Sequence, residues 1–162
     1  MAAIVGRKLV VQAPTVLAGD WDKALAAEHK ATLLLFDKLE KTAPDDRRKR
    51  RLLLMQLSHA LGKHAMEEEN AVYPALRDNG LTAEADALNH DHGYVKQYLY
   101  DLSDLIAQGE AFLPKLAAFR ADLETHMRTE EQEIFPRLKT ALTQDANTAL
   151  TRRMNGEGLK LA

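Results

Sequence analysis

The chain has 162 residues, 46% hydrophobic and 28% charged, with a formal net charge of −2 and no cysteine. That is the size and make-up of one domain able to bury a core. It excludes disulfides, thiolate ligands and thiol redox chemistry, and gives no general pull toward nucleic acid or anionic membrane.

Residues 1–19 contain Pro14 and Gly19 but no sustained period, and read as an extended arm. They lack the charged, apolar and small-residue order of a signal peptide. No apolar run approaches the roughly 18 residues of a membrane span, so the expected location is cytoplasmic. A first helix should start at Asp20 or Asp22, with the buried stripe Trp21, Leu25, His29, Thr32, Phe36 and Leu39. Pro44 should end one helix and Asp45–Asp46 start the next. The second helix carries Leu54, Leu57, Leu61, His64, Glu68, Ala71 and Ala75 on one face, with a kink or an end expected near Pro74. Asn79-Gly80 closes it. A third helix from about Thr82 shows Ala85, Leu88, His92, Val95, Leu99, Leu102 and Ile106. After a turn bracketed by Gly109 and Pro114, the fourth shows Leu116, Phe119, Leu123, His126 and Glu130. Residues 144–162 read as a short helix around Ala146–Met154 with a frayed tail at Gly156 and Gly158. The reading is all-α: an antiparallel up-down four-helix bundle over residues 20–143.

The second and fourth helices repeat one phrase. His64-Ala-Met-Glu-Glu68 runs on through Glu-Asn-Ala-Val-Tyr73-Pro74-Ala-Leu76, and His126-Met-Arg-Thr-Glu130 through Glu-Gln-Glu-Ile-Phe135-Pro136-Arg-Leu138. Glu28-His29 and Asp91-His92 stand in matching settings on the first and third helices, so the chain reads as a duplicated helical hairpin. His and Glu four residues apart share one helix face. Glu68 and Glu130 lie on stripes of leucine, and a carboxylate buried without a cation costs several kcal/mol. A lone histidine on an apolar face is more often a hydrogen-bonded core residue. Four at repeat-related positions, with two carboxylates that have no other evident partner, favour a metal site. Such donors suit iron, manganese or zinc, and two ions sharing both carboxylates as bridges would leave a position open for a small molecule.

His90 and His92 lie about 200° apart around a helix, and periodicity selects His92. His59 is about 140° off the face of His64 and reads as a surface residue or one behind the ligands. Arg47–Arg51 has no interleaved aromatics and reads as a solvated face, so no nucleic acid is expected. Glu67, Glu69 and Glu131 are placed on the outer face or behind the ligands. Tyr73, Phe135, Tyr94 and Tyr98 are assigned to packing.

His29, His64-x3-Glu68, His92 and His126-x3-Glu130 resemble the hemerythrin-like, His-His-Glu cation-binding domain family over about residues 20–140. The resemblance implies a four-helix bundle around two non-haem iron ions joined by carboxylate and oxo- or hydroxo-type bridges. His29, His64, His92 and His126 would be terminal ligands and Glu68 and Glu130 the bridges. Oxygen-carrying hemerythrins have H-x3-H on the third helix and a final Asp one residue farther along. Here the position four after His92 is Lys96, and four after His90 is Tyr94. Family members linked to iron–sulfur repair carry a cysteine-containing segment that this sequence lacks. The expectation is therefore a di-iron protein that binds or senses O2, NO or iron. The alternatives are a di-iron oxidase, peroxidase or NO-processing enzyme, and a metal-free interaction bundle.

Overall fold

The computed structural model describes residues 20–161, and these are helical almost throughout, with no strand among them. The expected arm over 1–19 lies outside the described residues. The helices are α1 (Trp21–Glu40), α2 (Arg47–Glu67), α3 (Tyr73–Asp78), α4 (Thr82–Leu105), α5 (Phe112–Thr129), α6 (Phe135–Ala141) and α7 (Gln144–Gly158). None is long and apolar enough to cross a membrane.

Sequence signals account for most of the ends. The Asp20 carbonyl accepts from Lys23 and Ala24 N–H, both at 3.0 Å. Its carboxylate caps nothing and instead meets Lys139 Nζ at 3.2 Å, where Asp22 also binds. Asp46 caps α2 by accepting from Lys49 N–H. Gly80, at φ 78°, lets the chain turn out of α3, with Leu81 N–H reaching back to Leu76 O. Pro114 sits inside the first turn of α5, where its missing N–H is not needed.

The expected break at Pro74 takes a particular form. α2 passes into α3 through a π-helical turn at Glu68–Val72, and α5 into α6 through another at Glu130–Ile134. Tyr73 N–H bonds Glu68 O and Phe135 N–H bonds Glu130 O, each five residues back. Pro74 and Pro136 follow at once, in first-turn positions of the next helix that require no donor. Both halves therefore place a π-helical turn immediately after the candidate glutamate.

Buried side chains form two apolar clusters. One contains Trp21, Leu25, Val72, Leu76, Leu88 and Phe135, and the other Phe36, Leu57, Leu102, Phe112, Phe119 and Leu123. Along α1 and α4 the first cluster precedes the histidine and the second follows it; along α2 and α5 the order reverses. His29, His64, Glu68, His92, His126 and Glu130 thus make a buried polar layer between two apolar ones.

Two expectations change. Arg50, within the basic run, is not solvated: it is fully buried. Its guanidinium donates to Thr42 Oγ1 at 2.9 Å and to Gly109 O at 3.0 Å, and lies 4.6 Å from the centre of the Phe112 ring. It ties together the two loops at that end of the bundle. Replacing Arg50 with Met should cost about 2–4 kcal/mol in denaturant unfolding, because buried acceptors in both loops lose a charged donor. An Arg48→Met control should change stability by less than about 0.5 kcal/mol. The second change is at the C-terminal end, where α7 runs through both glycines to Gly158. A Cβ at Gly158 would collide with Glu67 Oε1, so a larger residue there would force the Glu67 side chain to shift. Asn147 and Thr151 of α7 accept from Trp21 Nε1–H and N–H, at 2.9 and 3.1 Å, which fastens α7 to the start of α1.

Candidate metal centre

The six residues singled out by periodicity converge. Glu68 Oε1 lies 3.3 Å from His64 Nε2, and Glu68 Oε2 lies 3.3 Å from His92 Nε2. Glu130 Oε2 lies 3.4 Å from His29 Nε2, and Glu130 Oε1 lies 3.3 Å from His126 Nε2. His29 and His64 bring their Nε2 atoms within 3.0 Å of each other. Each carboxylate therefore turns one oxygen to a His29–His64 pair and the other to a His92–His126 pair. His29, His64, Glu68 and Glu130 form one group able to hold a metal ion, and Glu68, His92 and His126 form a second.

Behind the imidazoles stands a ring of acids. His64 Nδ1 meets Glu28 at 3.0 Å and His126 Nδ1 meets Asp91 at 3.2 Å. His29 Nδ1 meets Glu131 at 2.7 Å and His92 Nδ1 meets Glu69 at 2.8 Å. The pattern obeys the repeat: the acid before each α1 or α4 histidine serves its own half, and the acid after each glutamate serves the opposite half. A carboxylate on Nδ1 fixes the tautomer that leaves the Nε2 lone pair facing inward.

The inner surface is consequently rich in acceptors and poor in protons. Glu68 Oε1, Glu130 Oε2 and His126 Nε2 are buried without a hydrogen-bond partner. The Tyr73 hydroxyl has one proton and faces Glu68 Oε2, Glu130 Oε1 and His92 Nε2 at 3.0–3.2 Å. Buried acceptors facing one another are costly unless a cation or added protons neutralise them. The charge balance of the site agrees. Burial would push Glu68 up, yet the positive charge of His64, and then of His92, each 3.3 Å from one of its oxygens, holds it well below the ordinary carboxylate range. Burial lowers His64, but Glu68 and Glu28 raise it well above its ordinary value. Burial opposes charge on His126 too, and Glu130, Glu68 and Asp91 still raise it to about 9. Without an ion, protons supply the missing positive charge. The donor set fits divalent cations, as the resemblance implied.

Sequence reasoning missed three participants. Tyr73 was assigned to packing, yet its hydroxyl enters the site. Glu28 and Asp91 were noticed only as neighbours of histidines; the acid-His pair in both halves was the available signal. Glu67 is not behind a ligand in the way Glu69 and Glu131 are. It pairs with Lys63 at 2.6 Å, and Lys63 in turn holds Glu28 at 2.5 Å. His59 and His90 are exposed, with His90 Nε2 3.3 Å from the Tyr94 hydroxyl, and Tyr98 donates to Asp122. His92→Ala should cut bound metal by at least half, while His90→Ala and His59→Ala leave it unchanged, measured by elemental analysis. Equal losses from His90→Ala and His92→Ala would move the third-helix ligand.

The halves differ at the aromatic beside the ligands. At the position of Tyr73 the second half has Phe135, whose ring stacks on His29 with centroids 6.5 Å apart. The His92–His126 pair therefore has a hydroxyl beside it, and the His29–His64 pair an apolar ring.

The hemerythrin HHE cation-binding domain matches residues 22–138. An uncharacterized hemerythrin-like protein of Schizosaccharomyces pombe is 33% identical over 90 residues, covering 52% of this chain and 43% of that protein. The chain thus spans less than half the length of that relative. No solved structure matches it.

Proposed function

The chain belongs to the hemerythrin HHE cation-binding family, and from that premise we propose that it is a non-haem di-iron protein that binds or senses a small diatomic ligand, O2 or NO. The observation that carries this reading is the division of each carboxylate between two histidine pairs, with orphaned acceptors aimed at the space between them. His29 and His64 would hold one ion, His92 and His126 the other, and Glu68 and Glu130 would bridge them. The order of the apolar clusters along the helices supports an antiparallel up-down bundle made from a duplicated hairpin.

When bound, the iron pair supplies redox-active centres and an open position for the diatomic ligand. The chain's own residues do the rest. Glu28, Glu69, Asp91 and Glu131 orient the imidazoles through Nδ1. The two apolar clusters flank the layer on either side, and Tyr73 holds a proton within reach of both bridging carboxylates. Four neutral imidazoles against two carboxylates favour binding over deep oxidation, since fewer anionic donors stabilise high-valent iron less well.

The test is elemental analysis of protein purified without oxygen, with about two irons per chain expected. Adding O2 or NO should then change the visible spectrum without steady consumption; sustained turnover of oxygen or peroxide would make the protein an enzyme. Absence of stoichiometric metal, even after iron is supplied, would overturn the reading.

A further inference from the structure

A cleft of about 150 Å³ opens between α2, α4 and α5 and ends on His64, His92 and His126. Its walls are apolar, with Leu61, Val95, Leu99, Leu123 and Met127. Its rim has Ser58 and Gly62 on one side and Lys96, 70% exposed, on the other. The space exists because α2 presents Ser58, Gly62 and Ala65 where larger residues would fill it; a Cβ on Gly62 meets nothing within 4 Å. At its floor, His126 Nε2 is buried and has no hydrogen-bond partner.

Size decides what this cleft suits. A water-sized occupant needs about 10–15 Å³ by this measure, and a leucine-lined cavity of roughly 150 Å³ accommodates benzene. A diatomic molecule would leave most of the space empty. The geometry points to a second binding function: the cleft takes a small organic molecule of phenol's size, with an apolar body of about six non-hydrogen atoms against the leucines and one hydroxyl-type oxygen directed at the histidine floor. The inference rests on the metal-centre reading only for where the oxygen goes. Burial of the apolar body depends on Leu61, Val95, Leu99, Leu123 and Met127 and not on a metal.

Phenol is the probe, titrated calorimetrically into the full chain with metal content measured on the same sample. One saturable site is expected, with benzene binding several-fold more weakly because it lacks the oxygen. Gly62→Leu fills the rim and should weaken phenol at least tenfold. Gly93→Leu, exposed on α4 away from the cleft and equally unobstructed, should leave it unchanged. Ser58→Leu, one turn from Gly62 on the same rim, repeats the test should Gly62→Leu not fold. No saturable phenol binding, or equal affinity in the rim variants and Gly93→Leu, overturns the proposal. Phenol binding in protein that takes up no iron even when iron is supplied would leave the cleft assigned and the di-iron reading refuted.

Discussion

Replacing Glu68 with Ala should empty both metal positions, taking bound iron from about two per chain to well below one and weakening affinity by more than a hundredfold. The reason is geometric: its two oxygens lie 3.3 Å from imidazoles of different pairs, so one truncation withdraws a donor from each. Glu130→Ala should match it, since Glu130 is divided between His29 and His126 in the same way. Truncating an outer acid is milder. Glu131→Gln leaves His29 in place but poorly oriented, and about 10–100-fold is expected. Loss of only one iron from Glu68→Ala would sink the bridging role, leaving Glu68 a terminal ligand. Stability should follow the metal: an ion present at a thousand times its Kd adds about 4 kcal/mol, and the variant forfeits it.

The metal-free protein should lose stability as pH rises, and the loaded protein should not. His126 is raised from 6.5 to about 9 and His64 is raised in the same direction. A group whose folded value exceeds its unfolded one stabilises fully below about pH 6.5, and the contribution disappears as pH climbs through about 9. For His126 this amounts to on the order of 3 kcal/mol. Glu28 has the opposite sense. Burial alone would raise it, but His64, Glu67 and Lys63 lower it to about 2, so its contribution is complete above pH 4.5 and lost toward pH 2. Metal ligation requires neutral Nε2 atoms, so loading near pH 7 should release roughly two protons. Unfolding midpoints at pH 6 and pH 9, with and without metal, check the first statement, and calorimetry in two buffers checks the second. Greater stability of the metal-free form at pH 9 would mean that its imidazoles are already neutral.

The six candidate ligands were legible because helical stripes and four-residue spacing survive folding. His29, His64, His92 and His126 each sit where a leucine stripe predicts a buried position, and the repeat made the pattern stand out. Tyr73 was hidden by the same arithmetic. On an α-helix it lies about 140° around from Glu68, but the π turn closes a five-residue ring and brings it beneath that glutamate. No helical wheel drawn with one period can anticipate this, although the proline after each aromatic marks where the period fails. Arg50 was read with its neighbours as a charged face because its partners are a threonine and a backbone carbonyl distant in sequence. Gly158 looked like an end signal, whereas a close approach to Glu67 explains it.

The exchange of Tyr73 for Phe135 at matching positions makes the two halves of the centre chemically unequal. An ion held by His92 and His126 has a hydroxyl able to hydrogen-bond to its carboxylate oxygens, which draws charge away from them. An ion held by His29 and His64 would keep undiluted carboxylate charge beside an aromatic face. Two chemically identical ions held there would differ in affinity and in potential. Titration with iron should proceed in two resolved steps, and Tyr73→Phe should merge them. A protein whose two halves nearly repeat each other would in this way gain a built-in order of filling and of electron loss.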